Sequence, residues 1–130
     1  MKFCSLILGP AMMLSASAAF AQYVDFVEPK HGDTVASTFT VRFAVDGMSV
    51  APAGDMTAGT GHHHLLIDTA DIEENAVIPM DDKHRHFGKG QTETQITLLP
   101  GKHTLTMQFA DGAHRSYGAK YRKTIEVTVK

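Results

Sequence analysis

Phe39, Val41, Phe43 and Val45 alternate with Thr38, Thr40, Arg42 and Ala44. A period of two places one set of side chains on each face of an extended chain, so this segment predicts a half-buried strand. The same β-prone character returns in Val24 to Glu28, His62 to Asp68, Thr92 to Leu98, His103 to Phe109 and Thr124 to Val129. Turn residues separate these runs. Lys30-His31-Gly32-Asp33 and Asp111-Gly112 read as turns, and Leu99-Pro100-Gly101-Lys102 suits a type II turn, with Pro presetting φ and Gly taking the positive φ. Met48 to Gly61, with Pro52, Gly54 and Gly59 inside it, reads as a long loop. Asp71 to Gly90 is polar and irregular, with a short helical turn expected over Ala70 to Ala76. No amphipathic helix interrupts the series. The pattern predicts an all-β fold, an antiparallel immunoglobulin-like β-sandwich of six to seven short strands with long His-bearing loops. A small barrel is the alternative.

Residues 1–21 read as a cleaved secretory signal peptide rather than as part of this fold. Lys2 supplies the positive start, Cys4 to Leu14 the apolar run, and Ala19-Phe20-Ala21 an A-x-A cleavage pattern. That run is too short to span a bilayer, and no later stretch reaches the ~20 apolar residues a spanning helix needs. The expectation is a periplasmic or secreted chain, with residues 22–130 forming a single β-sandwich domain. The only cysteine, Cys4, leaves with the signal. The mature chain then has neither disulfides nor thiolate ligands, and its fold must rest on a hydrophobic core.

The charge balance, with a net charge of −2, argues against a phosphate-binding surface and so against nucleic acid as a partner. Histidine is the outlier: eight residues, roughly three times ordinary usage for this length. On a strand, positions i and i+2 share a face. His62 and His64 therefore point one way with Leu66, while His63 points the other way with Leu65 and Ile67. His84 and His86 form a second pair of the same spacing. Same-face imidazoles ~6–7 Å apart along a strand can share one metal ion at N–metal distances of ~2 Å. His62, His63, His64, His84, His86 and His114 are the candidate metal ligands. Asp68, Gln91, Glu93 and His103 are candidate supporting residues, since a carboxylate can orient a ligand ring through its second nitrogen. Met48 and Met56 in the long loop could offer thioethers to Cu(I), although Met more often fills core. His31, beside a turn glycine, reads as a solvated loop residue.

Three stretches also carry a family resemblance. Gly61-His62-His63-His64-Leu65-Leu66-Ile67-Asp68, His86-Phe87-Gly88-Lys89-Gly90-Gln91-Thr92-Glu93 and Leu98 to Leu105 resemble a bacterial family of small exported domains, DUF4399. Phe26 to Val35 and Gly47 to Gly54 are similar to it as well, so the likeness spans essentially the whole mature chain. His114-Arg115-Ser116-Tyr117-Gly118 departs from the family pattern, which is richer in proline there. The family has no assigned function, so the resemblance implies no activity or cofactor. It links His62, His63, His64, His86 and His103 to one another without saying what they bind.

Two functional classes follow from the residues. The first is an exported metal-binding protein. Imidazole suits Cu(II) and Zn(II), and the affinity order of divalent ions places Cu(II) first, so copper or zinc is the expected cofactor. The second is a structural or interaction module of the cell envelope, with an envelope protein as partner, in which His, Asp and Glu build a buried polar network and no metal is held. Gly88-Lys89-Gly90-Gln91 would then be a tight turn, with Gln91, Thr92 and Glu93 fixing loops. Catalysis has the least support: Ser37, Ser49 and Ser116 stand in no nucleophile motif, and no Gly-rich loop precedes a helix. A hydrolytic metal site would still need only three protein ligands plus water.

Overall fold

The computed structural model describes residues 23–130, and the signal-peptide reading of residues 1–21 lies outside them. Nine strands follow in chain order: β1 (Val24–Glu28), β2 (Thr34–Val35), β3 (Thr38–Val45), β4 (Ser49–Val50), β5 (Thr60–Ile67), β6 (His84–His86), β7 (Glu93–Thr97), β8 (Gly101–Ala110) and β9 (Arg122–Val129). They form two sheets. One has the order β1-β3-β7; the other runs β2-β9-β8-β5-β4, with β6 also paired to β5. Three strands facing the set β9-β8-β5, with the short β2 parallel to β9, make an immunoglobulin-like sandwich.

Between the sheets lies the core that the alternation promised. Phe39, Val41 and Phe43 of β3 are buried, and Thr38, Arg42 and Ala44 are exposed. They meet Phe26, Leu65, Ile67, Ile96, Leu105, Met107, Phe109, Ile125 and Val127 from the other strands. Gly101 takes the positive φ expected where the Pro100-Gly101 turn enters β8. Among the described residues, no helix is long and apolar enough to cross a membrane.

The structure has nine strands where six to seven were expected, because the short β2, β4 and β6 add to the longer ones and β6 lies in the stretch read as irregular. Met48 to Gly61 is not all loop, because Ser49 and Val50 pair in parallel with Thr60 and Gly61. Backbone pairing there shortens what would otherwise be a costly unsupported connection. The helical turn expected over Ala70 to Ala76 is absent. The Asn75 N–H instead donates to the Ser116 carbonyl, and Val77 bridges Arg115. The only helical turn among the described residues is a 3-10 turn at Ala119–Tyr121.

That crossing segment changes what β5 is. An antiparallel sheet usually leaves one face to water, yet every residue from Gly61 to Ile67 is buried. The inner face, His63, Leu65 and Ile67, packs into the core. The outer face, His62, His64 and Leu66, is roofed by residues 72–78 and by the loop after β8. Leu66, Ile78 and Ala110, with Ile72 against them, form a second small apolar cluster there.

Candidate metal centre

Four imidazoles converge under this roof. His62 and His64 leave the outer face of β5, two residues apart. His86 comes from β6, whose antiparallel register sets His86 opposite His64. His114 comes from the loop between β8 and β9. That loop is held by Asp111, whose Oδ1 accepts from the N–H groups of Ala113 and Arg115, and His114 adopts a φ of 64°. A non-glycine residue pays for that left-handed conformation, so the surroundings must enforce it.

The rings face one another closely. Nδ1 of His114 stands 3.1 Å from Nε2 of His62 and 3.4 Å from Nε2 of His64. His62, His86 and His114 each present a nitrogen within 4.8 Å of the other two. His62 and His64 are fully buried, whereas His86 and His114 are partly exposed, so an ion would enter past the latter pair. The charged forms are disfavoured. Burial first, then the neighbouring His114 and His86, push His62 down to about 4, with Asp111 opposing. Burial, then His62, His114 and His86, push His64 down to about 2. His86 is lowered by burial and then by His114. Three clustered imidazoles with depressed pKa values keep their lone pairs at neutral pH, which is the form a metal ion requires.

Two glycines make room for this arrangement. A Cβ on Gly88 would lie 2.6 Å from Nε2 of His86 and 3.1 Å from Cβ of Ala53. A Cβ on Gly112 would strike the backbone of Asp55, so the 52–57 loop could not back onto the His114 loop. Asp111, Gly88 and Gly112 were not among the residues expected to shape the site. Asp-Gly just before His114 and a glycine two positions after His86 are the signals that could have pointed to them.

Several expected ligands stand elsewhere. His63 is a correction: it points to the inner face, 4.8 Å from Phe43 and 5.0 Å from Phe109 between ring centres, because strand alternation turns it away from His62 and His64. His84 does not join the group either. Its register position opposite Leu66 carries it along β6, and its Nδ1 lies 2.8 Å from Oδ1 of Asp81. Met48 packs against the core and Met56 is exposed, so neither thioether belongs to the group.

The supporting set is corrected as well. Asp68 orients no clustered ring. Its Oδ2 lies 2.6 Å from Nδ1 of His103, whose Nε2 donates to the Leu99 carbonyl at 2.7 Å. With acceptors at both nitrogens, Asp68 first and the Leu99 carbonyl second, the pKa of His103 is raised. Asp68 and His103 thus clamp the Leu99-Pro100-Gly101 turn to the end of β5. Glu93 lies on the exposed face of the other sheet, paired with Arg42 at 2.9 Å. Gln91 accepts from the Lys89 N–H and closes the Gly88 to Gln91 turn.

Comparison with known proteins adds a family and a fold likeness. DUF4399, a domain of unknown function, matches residues 41–130. No curated protein matches the chain. Among solved structures the chain is similar to the fibronectin(III)-like modules of Clostridium thermocellum CbhA, with a TM-score of 0.48 and 13% identity over 82% of this chain and 95% of that one.

Proposed function

The chain belongs to the DUF4399 family, and we propose that this protein is an exported binder of a transition-metal ion, copper or zinc, held by His62, His64, His86 and His114. One observation carries the reading: imidazole nitrogens of β5 and of the loop after β8 stand 3.1 and 3.4 Å apart, and His86 from a third segment brings a nitrogen within 4.8 Å of those of His62 and His114. Ligands around one ion at ~2.0–2.1 Å have nitrogens about 3 Å from one another. Side chains without a common partner have little reason to gather at that spacing under a roof.

The rival reading, a metal-free polar network, fits less well. A network that serves stability satisfies its members. Here Nε2 of His62 and Nε2 of His64 both face Nδ1 of His114, at 3.1 and 3.4 Å. His114 Nδ1 has at most one proton to share between the two Nε2 atoms facing it. Export is the second part of the proposal. It rests on the Lys2, apolar-run and Ala19-Phe20-Ala21 pattern, and it suits a thiolate-free ligand set.

The test is a titration of purified protein, residues 22–130, with Cu(II) and Zn(II). Binding tighter than micromolar that is lost in His62→Ala/His114→Ala supports the reading. No binding, or unchanged binding in the double variant, refutes it. For export, N-terminal sequencing of protein recovered from the envelope fraction should begin at Gln22.

A further inference from the structure

We infer that the four imidazoles form a tetrahedral cage built for a closed-shell ion, Zn(II) or Cu(I), and that this cage disfavours Cu(II). The inference rests on the metal-binding reading and names the class of ion the same site takes.

The ring centres carry the argument. On the β-sheet, His62, His64 and His86 form a triangle with sides of 4.6, 5.7 and 5.8 Å. His114 stands over it, 4.9, 5.6 and 5.0 Å from the three corners. Three points on a surface and a fourth above them make a tetrahedron. Imidazoles bound at ~2.0–2.1 Å would have ring centres about 5.2 Å apart at every edge of a tetrahedron. Around a square they would be about 4.5 Å apart along the sides and about 6.4 Å across both diagonals. No separation here exceeds 5.8 Å, and the long ones include three pairs rather than two opposed ones. Two edges from His114, of 3.1 and 3.4 Å to Nε2 of His62 and His64, match a tetrahedral edge of about 3.3 Å, and the nitrogens of His62, His86 and His114 lie within a looser 4.8 Å that a bound ion would draw in.

This geometry follows from how the residues are delivered. A strand face and its antiparallel neighbour can supply three ligands only from one surface. The fourth must then come from above, and the left-handed φ of His114 on its Asp111-anchored loop brings it there. Flattening the set into a square would pull His114 down into the sheet that the roof already covers. Closed-shell ions have no preference against the tetrahedron, whereas Cu(II) and Ni(II) favour square or tetragonal fields. The ligand set is also uncharged, without thiolate or carboxylate, which suits a monovalent ion in a half-buried site.

Co(II) is the probe that separates this inference from the reading beneath it. Co(II)-loaded protein should show the intense visible bands of a tetrahedral complex, and Zn(II) should displace it and abolish them. Zn(II) should be held at least roughly tenfold more tightly than Ni(II). Competition with a Cu(I)-specific chelator and, separately, with a zinc indicator then tells the two closed-shell ions apart. Co(II) bound with only weak octahedral bands, or a Cu(II) complex with an ordinary square-planar electron paramagnetic spectrum, would overturn the tetrahedral inference and leave metal binding intact. Failure of Co(II), Zn(II) and copper alike to bind at micromolar concentration would overturn the metal reading itself.

Discussion

Replacing His63 with leucine should make the protein more stable. His63 is fully buried on the inner face of β5, and both of its ring nitrogens lack a hydrogen-bond partner. Each unsatisfied buried polar group costs about 1–3 kcal/mol, so the pair costs about 2–6 kcal/mol. Leucine is similar in volume and gives up the ring contacts with Phe43 and Phe109, worth about 0.5–1.5 kcal/mol each. The balance favours His63→Leu by roughly 1–3 kcal/mol. At about 4–8 °C per kcal/mol for a small domain, the midpoint of thermal unfolding should rise clearly. A pH dependence accompanies it. Burial, then His62, push His63 from 6.5 down to about 4. The unfolded imidazole therefore takes a proton near 6.5 while the folded one does not, and stability drains away as pH falls from 6.5 towards 4. His63→Leu should lessen that loss by about 3 kcal/mol at the acid end. His62 and His64 keep the remainder of the slope, since their pKa values are depressed too. The assay is urea unfolding followed by circular dichroism at pH 7 and pH 5, with chelator present so that bound metal adds nothing. A variant less stable than the parent at pH 7, or one with an unchanged acid slope, would show that the nitrogens are not orphaned and refute the reasoning.

Three further outcomes follow from the site and its frame. Gly88→Ala places a methyl group against Nε2 of His86; metal affinity should fall about 10–100-fold by calorimetry, with little change in the metal-free unfolding midpoint. Zinc at a hundredfold excess over its dissociation constant should stabilise the protein by about 2.7 kcal/mol, a midpoint shift on the order of 10 °C, and the shift should vanish in His62→Ala/His114→Ala. His103→Gln should cost about 1–2 kcal/mol at pH 6, because the charged ring bonds both Asp68 and the Leu99 carbonyl. The raised pKa of His103 makes its contribution complete below 6.5 and lost as pH climbs through the raised value. Burial pushes Asp68 up, but the bonds from His103 and the Thr104 N–H outweigh it and hold it low, so its share is lost only at acid pH. The gap between the urea midpoints of the parent and His103→Gln should therefore narrow as pH rises from 6 to 9, whatever slope the other histidines give both proteins.

Much of this was written in local pattern. Alternation along Thr38 to Val45 set the inner face of β3, and the i, i+2 spacing put His62 and His64 on one side of β5 and His63 on the other. Those are consequences of strand geometry, which depends only on neighbours in the chain. Local pattern could not say which face of β5 would be wet. Both are dry, because residues 72–78 and the 111–115 loop cross the outer face and bond to each other there. Nor could spacing separate His86 from His84, which look alike in sequence. Antiparallel register sets His86 opposite His64, while His84 lies one step further along β6 and turns to Asp81. Asp68 and Glu93 were plausible orienters of a metal-bound ring by residue type alone. Asp68 serves His103 and Glu93 serves Arg42, because the first sits at the end of β5 and the second on the other sheet. The sequence by itself determined the longer strands, which side chains share a face along each, and the supply of imidazoles. Tertiary structure decided which four of them meet, since register, the covering segment and the strained loop at His114 depend on contacts between residues far apart in the chain.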